Sequence, residues 1–474
     1  MKSFFRFVFF TGGVSLLAAC SGMQKNDNNP PSHAGAVVQS WLTGNGHLLE
    51  KQKDIFLSTE SKSDVAVIDI DSSKKFQVID GFGYTLTGGS AVLINKLPAA
   101  EKKALLRELF SPAEENGIKI SYLRLSIGAS DLDAEVFSYD DLPAGKTDVQ
   151  LEYFNLEHEK KDLIPLIKEI VTINPSMQFI ATPWSAPVWM KDNNNSKGGS
   201  LKPAYYSVYA NYFVKYIQAM QAEGININAI TPQNEPLHPG NNPSMYMPAT
   251  DQAKFISNNL GPAFKRAGIR TKIVVYDHNC NKPEYPLTIF DDTTASSYVD
   301  GAAFHLYEGD ISALSQVHDK YPQKNLYFTE QYTASDGQFD GDLKWHVKNV
   351  IIGSMRNWSR TALEWNLAND PNFEPHTPGG CNTCKGALTI GDSIIRNVAY
   401  YIVAHASAFV PPGSVRIGSN SSADLQHVAF LTPNGSKVLI AQNETDAPLT
   451  FNIRFNNKSA SATLNAGEVK TFVW

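Results

Sequence analysis

"AITPQNEPLHPG", residues 229–240, joins a short apolar run to a polar turn carrying Asn234, Glu235 and Pro236. The apolar run has the composition of a buried strand, and a carboxylate placed directly after one is costly to keep unless it is paired or used. A strand leading into a functional loop is the repeating unit of parallel α/β folds. The same pattern recurs on both sides. "FQVIDGFGYTL", "ISYLRLSI" and "QFIATPW" precede "INAITPQ", while "KIVVYD", "GAAFHLY", "NLYFTE" and "RTALEWNL" follow it. Amphipathic stretches such as "DLIPLIKEIVTI", "YSVYANYFVKYIQAMQAEG", "DQAKFISNNLGPAFKRAG" and "DLKWHVKNVIIGSMRNW" lie between them. Eight strands separated by helices are the count that closes a (β/α)8 TIM barrel, here over residues 77–411. An open doubly wound sheet is the alternative. Against it, "GFGYTLTGG" lacks G-x-G-x-x-G spacing and no P-loop is present.

From residue 412 to 474 the pattern changes to short β-rich runs broken by Asn, Gly and Pro turns, which read as antiparallel strands. Residues 41–76, including "DVAVIDID", have similar character. Both chain ends are therefore expected to build one accessory β-sandwich beside the barrel.

The chain has 474 residues and a formal net charge of -6, with no long run of lysine or arginine. The electrostatic footprint of a nucleic-acid partner is missing. "MKSFFRFVFFTGGVSLLAAC" places Lys2 and Arg6 before an apolar stretch that ends in Leu17-Ala18-Ala19-Cys20, the arrangement of a bacterial signal peptide. The cysteine makes this look like a lipobox, so residues 1–20 are expected to be a lipoprotein signal, with Cys20 lipidated and residues 21–40 a flexible tether. The expected location is membrane-anchored, at the periplasmic face or cell surface. An ordinary secretory signal with a chance cysteine is the other reading. Of the remaining cysteines, Cys381 and Cys384 sit in "GGCNTCKG". Two thiolates cannot fill a tetrahedral zinc site, and a local disulfide suits an exported protein. His376 nearby would be the third ligand in the competing metal reading, and Cys280 reads as a buried thiol.

In a (β/α)8 barrel, active sites form where the strands end and the βα loops converge. Those ends carry Arg124 and Asp131, Trp184, Asn234 and Glu235, Asp277 and His278, His305 and Tyr307, Glu330, and Glu364, Trp365 and Asn366. One strand-end glutamate is more often an ion-pair partner than a catalyst, and a lone tryptophan is usually core. Their joint placement is what points to a site. Paired carboxylates with flat aromatic faces fit glycoside hydrolysis, where one carboxyl protonates the leaving oxygen and the other attacks the anomeric carbon or activates water.

"GFGYTLT", "YLRLSIGASDLD", "ATPWSAPVWMK", "NEP", "FTEQY" and "EWNL", in that order, resemble glycoside hydrolase family 30, the family of glucosylceramidases and microbial β-1,6-glucanases. The resemblance implies a retaining double displacement with Glu235 as acid/base and Glu330 as nucleophile. It also implies that Asp131, Trp184, Asn234 and Trp365 hold the terminal glucose, with Tyr307 near the nucleophile and Arg124 bracing the floor, and His305 is at a matching position too. Glu235 is then expected to be protonated and Glu330 ionised, the charge of the second raising the pKa of the first. No metal or cofactor is required. One departure stands out: where glucosylceramidases usually read Gly-Ala-Met-Thr-Asp after "GFG", this chain has Tyr84-Thr85-Leu86-Thr87-Gly88 and lacks the acidic residue. That departure, with the exported setting, favours an endo-acting β-1,6-glucanase on β-glucan over an exo-acting β-glucosidase or glucosylceramidase. The competing class is a non-catalytic carbohydrate-binding lipoprotein.

Overall fold

The structure is a computed structural model and describes Met1 and residues 35–474. Most of the expected signal peptide, Cys20 and residues 21–34 of the expected tether lie outside the described residues. Among the described residues, no helix is long and apolar enough to cross a membrane.

Eight parallel strands close into a barrel: Gly81–Thr85, Tyr122–Ser126, Gln178–Thr182, Ala229–Ile230, Lys272–Asn279, Val299–His305, Asn325–Glu330 and Ser359–Asn366. The first strand packs backbone to backbone on the second, since a Cβ on Gly83 would stand 1.9 Å from the Tyr122 carbonyl oxygen. The helices bury the faces their periodicity predicts. Tyr206–Ala222, for example, turns Tyr209, Tyr212, Phe213, Tyr216 and Met220 inward. Inside the barrel, Tyr122, Ile180, Ala229, Val274, Ala303, Tyr327 and Leu363 form one apolar layer with a residue from each of seven strands. Because strand side chains alternate, the residue two positions on points inward again, one layer nearer the C-terminal mouth. Those residues include Arg124, Thr182, Thr231, His305, Thr329 and Trp365, so the packed apolar plug gives way to polar groups within one step.

The accessory module is a ten-stranded sheet drawn from both chain ends. Strand Val37–Gly44 pairs with Val469–Val473, and strand Ala66–Val78 lies between Val415–Ser419 and Leu449–Phe455. The first of these begins inside the stretch expected to be tether, because Val38 and Leu42 alternate onto the sheet core. The second runs two residues past the expected boundary at 76, to Val78. Although Leu449–Phe455 and Val469–Val473 are far apart in the strand order, Phe451 and Phe472 meet edge to face at 6.1 Å. The sheet therefore closes on itself around an apolar core.

The module grips the barrel through polar groups that burial makes obligatory. Arg356, just before the eighth barrel strand, donates to Ser419 Oγ at 3.1 Å and to the His427 carbonyl at 3.0 Å, and the Arg416 guanidinium lies 5.3 Å from the Trp358 ring centre. His405, wholly buried on helix Val398–Ser407, bonds Thr43 at 2.8 Å through Nε2 and Thr471 at 2.9 Å through Nδ1. Burial holds its imidazole neutral, with the pKa pushed down to about 3. An unfolded chain binds this proton below the ordinary histidine value near 6.5, whereas the folded one refuses it until about pH 3. The stability His405 confers is thus complete above pH 6.5 and is lost as pH falls toward 3. Chemical denaturation between pH 4 and 6 should show His405→Gln flattening the acid-side loss by up to about 1.4 kcal/mol per pH unit, the slope for one proton.

Candidate active site

The floor of the barrel mouth is organised by Asp277. The period-two pattern of the fifth strand would aim Tyr276 inward after Val274. Instead Tyr276 and Asp277 adopt φ of 75° and 64°, and the register against the sixth strand slips by one residue. This bulge re-aims Asp277 into the barrel. Its Oδ2 accepts hydrogen bonds from Arg124 Nη2 (3.0 Å), Thr182 Oγ1 (2.9 Å) and Thr231 Oγ1 (2.8 Å). Its Oδ1 accepts from Thr329 Oγ1 (2.6 Å) and from His305 Nε2 (3.1 Å). Burial opposes the charge, but Arg124, His305 and Thr329 outweigh it and hold the carboxyl well below the usual range.

The groups gathered by Asp277 present the two glutamates. Arg124 is wholly buried, lies 4.8 Å from the Trp184 ring centre, and donates to Glu330 Oε2 at 2.6 Å and to Asn234 Oδ1 at 2.6 Å. Tyr307 donates to Glu330 Oε1 at 3.0 Å. His305 Nδ1 lies 3.2 Å from Glu235 Oε1 and 3.6 Å from Glu330 Oε1, so one imidazole nitrogen bridges the facing carboxylates. Glu235 has φ of 44°, a left-handed conformation that costs a non-glycine residue about 1–3 kcal/mol. Its amide donates to the Asp277 carbonyl at 3.0 Å, which keeps the side chain aimed at the mouth.

A cavity of about 270 Å³ opens above this floor. Glu235 and Glu330 line it together with Asp131, Trp184, Tyr307 and Trp365. The two indoles meet at 5.3 Å as a tilted pair. Arg124 and His305 stand behind the wall, and Asn234 turns its carbonyl oxygen to Arg124. The loop after the eighth strand wraps Asp131: Thr377 N–H donates to its carbonyl at 3.0 Å and Cys381 N–H to its Oδ2 at 3.2 Å. A disulfide joins Cys381 to Cys384 in that loop, and Cys280 is buried and unpaired. Burial and the nearby Glu330 charge push Asp131 up to about 7, against the Cys381 amide. The acidic group missing at position 88 has a replacement. A Cβ on Gly88 would collide with Asp133 Oδ1 at 1.8 Å, so the neighbouring loop supplies a carboxyl where the first strand's loop has none.

Two expectations are corrected. The first concerns the glutamates. Both are desolvated, but His278 and His305 both face Glu235 and hold it well below the ordinary range. Burial, joined by the charges of Glu235 and Asp277, raises Glu330 against the pull of His305 and Arg124. The two shifts thus run opposite to the expected order, because the His305 ring lies nearer Glu235 than Glu330. Burial works to neutralise His305, but Glu330, Asp277 and Glu235 raise its pKa to about 9. Two cations, Arg124 and His305, then face the fixed anion Asp277, and one ionised glutamate completes neutrality. The second correction concerns the eighth strand. Leu363 and Trp365 face inward, so Glu364 points to the helix layer and pairs with His346 at 2.7 Å. Asn366 accepts from Thr87 and Ser90. Neither lines the cavity. Conversely Thr182, Thr231 and Thr329 escape notice in the sequence, although extending each strand's alternation by one step finds them. His238, Asn241 and Tyr332 also line the cavity, on loops with no periodic signal.

Asp277→Asn keeps the shape and removes the charge that Arg124 and His305 share. It should destabilise the fold by about 3–5 kcal/mol and lower kcat far more than it raises KM. Calorimetry with steady-state kinetics checks both, and a variant of wild-type stability and kcat would remove Asp277 from its organising place.

Residues 79–410 match the glycosyl hydrolase family 30 TIM-barrel domain and residues 413–472 the family 30 beta sandwich domain. An endo-1,6-β-D-glucanase of Aspergillus fumigatus is 35% identical over 413 residues, covering 81% of this chain and 82% of its own. The lysosomal acid glucosylceramidase of Mus musculus is 29% identical over 439 residues, covering 86% and 83%. The solved structure of an endo-β1,6-glucanase superposes with a TM-score of 0.85 at 34% identity, over 93% of this chain and 99% of that one. With its barrel, its sandwich and these relatives, the chain belongs to glycosyl hydrolase family 30 and is a glycoside hydrolase.

Proposed function

We propose that the enzyme cleaves β-1,6-linked glucan internally by a retaining double displacement, with Glu330 as nucleophile and Glu235 as acid/base. The observation that carries the reading is the pair of carboxylates on one cavity, close enough for one imidazole nitrogen to reach both. Retaining pairs stand about 5–5.5 Å apart, inverting ones about 6.5–9.5 Å to admit a water. Glu330, clamped by Arg124 and Tyr307, attacks the anomeric carbon while Glu235 gives its proton to the departing glycosidic oxygen. Sugar and Glu330 are then joined as an ester. Glu235, now a carboxylate, takes a proton from water, and the hydroxide displaces Glu330. His305 Nδ1, 3.2 Å from Glu235 and 3.6 Å from Glu330, offers a path by which a proton passes from one carboxyl to the other. Trp184 and Trp365 present apolar faces for sugar C–H groups.

Substrate choice rests on likeness. Endo-1,6-β-glucanases are 34–36% identical to this chain, whereas glucosylceramidases are 29–31% identical. On β-1,6-glucan the wild type should release a ladder of gentio-oligosaccharides early. Glu330→Ala should be inert on every substrate. Glu235→Ala should accumulate a glycosyl-enzyme with an activated aryl β-glucoside and be rescued by azide as the β-azide. Glucose alone as product, or faster cleavage of glucosylceramide, would establish the exo reading. An α-azide would reverse the roles or show inversion, and inertness of the wild type would leave a carbohydrate binder.

We also propose that the enzyme is exported and held on a membrane by lipid on Cys20, supported by Lys2, Arg6, the apolar stretch and "LLAAC". Several acyl chains hold a protein firmly where one does not. In detergent phase partitioning the wild type should enter the detergent phase and Cys20→Ala should not. A wild type confined to the aqueous phase removes the anchor.

A further inference from the structure

The Glu235 side of the cavity has a second chemical identity. One ring nitrogen of His278, one of His305 and a carboxylate oxygen of Glu235 all lie within 4.8 Å of one another, and all three residues are buried. The nitrogens nearest Glu235 Oε1 are His305 Nδ1 at 3.2 Å and His278 Nδ1 at 3.6 Å. Tetrahedral zinc with ligand bonds of about 2.0–2.1 Å requires ligand atoms about 3.3–3.4 Å apart, the edge of that tetrahedron. The two edges to Glu235 bracket this length, and the edge between the histidine nitrogens lies within 4.8 Å.

We infer that Glu235, His278 and His305 form a binding site for a borderline divalent transition metal such as Zn2+, and that the bound ion inhibits the enzyme. Binding rests on the geometry alone, whereas inhibition rests on the acid/base role proposed for Glu235.

Three further observations support the site. His278 Nδ1 is buried, makes no hydrogen bond and already faces Glu235 Oε1 at 3.6 Å, so a metal there would displace only that ion-pair contact. His305 Nε2 is engaged by Asp277 Oδ1 at 3.1 Å, and Asp277 is itself held by Arg124 and three threonines. A carboxylate behind a histidine fixes its ring and raises its basicity toward a metal, the usual support of a zinc-bound imidazole. Finally, Glu235 and His278 both line the cavity, so the fourth position of a three-ligand ion would open to solvent or substrate. Two imidazoles with one carboxylate suit Zn2+, Ni2+ or Cu2+ and not Mg2+ or Ca2+, which require oxygen ligands in greater number. The ion would displace the proton at His305 Nδ1 and occupy the carboxylate oxygen that must exchange a proton with the glycosidic oxygen. The reaction stops at both steps that use Glu235.

The test is equilibrium dialysis of Zn2+ against the detergent-solubilised full chain, with wild type, His278→Ala and Glu235→Gln compared and folding checked by circular dichroism. The expected result is one high-affinity Zn2+ per wild-type chain, weakened more than tenfold in each variant. Wild-type glucan hydrolysis should fall as this site fills and return with EDTA. Absence of binding, or binding unchanged in both variants, overturns the site and places the ion on surface groups such as His47 and Glu50. Binding without inhibition overturns the inhibitory half. Because dialysis does not depend on turnover, site-specific binding would stand even if the kinetics of the Glu235 and Glu330 variants refuted their roles. Confirmed roles without binding would sink this inference alone.

Discussion

Asp277 is the constraint on which the barrel mouth depends. A buried carboxylate is tolerated only when donors replace its water, and here five side chains from five positions around the barrel do so. Each donor is pinned in return. Arg124 is thereby set under Glu330, and His305 under Glu235. The bulge that aims Asp277 inward is accordingly a functional device, since without the extra residue Tyr276 would face the interior and the cations would have no common anchor.

The electrostatics of the two glutamates follow from the same anchor. Arg124 and His305 carry the positive charge of the floor, and Asp277 cancels part of it. His305 and Arg124 pull Glu330 down while burial pushes it up, and His278 and His305 hold Glu235 low. Which glutamate holds a proton the more tightly depends on which lies closer to the histidines, and this is a matter of ångströms. The same closeness of nitrogen and oxygen that suits proton exchange also suits a metal ion. A glycosidase floor and a zinc site thus differ here mainly in what occupies them.

Outside the floor, rigidity comes from loops that bind one another. The segment after the eighth strand clasps Asp131 by two backbone donors, and Asn242 donates to the Pro378 carbonyl at 2.9 Å, tying the fourth loop to the eighth. The accessory sheet meets the barrel through His405, Arg356 and the Arg416–Trp358 contact. Polar contacts of this kind resist sliding more than an apolar seam does, because each displaced donor would be left unsatisfied in a buried place.

Much of this was legible in the residues. Alternating apolar strands and amphipathic helices are set by short-range periodicities, and the rule that chemistry gathers at strand ends turned eight such strands into a short list containing Glu235, Glu330, Asp131, Trp184 and Trp365. Local alternation also marked the accessory strands, although the first of them begins at Val37, inside a segment whose polar neighbours suggested tether. What the tertiary structure alone decided is orientation and proximity. A bulge reverses the parity of Asp277, the parity of the eighth strand sends Glu364 to His346, and Asp133 crosses from a neighbouring loop to the place left by Gly88. The protonation order of the glutamates is of the same kind, because it turns on His278 and His305, which stand 43 and 70 positions from Glu235 along the chain. Periodicity is a property of neighbours in sequence. Desolvation and Coulomb energy depend on distance in space, which only the closed barrel defines.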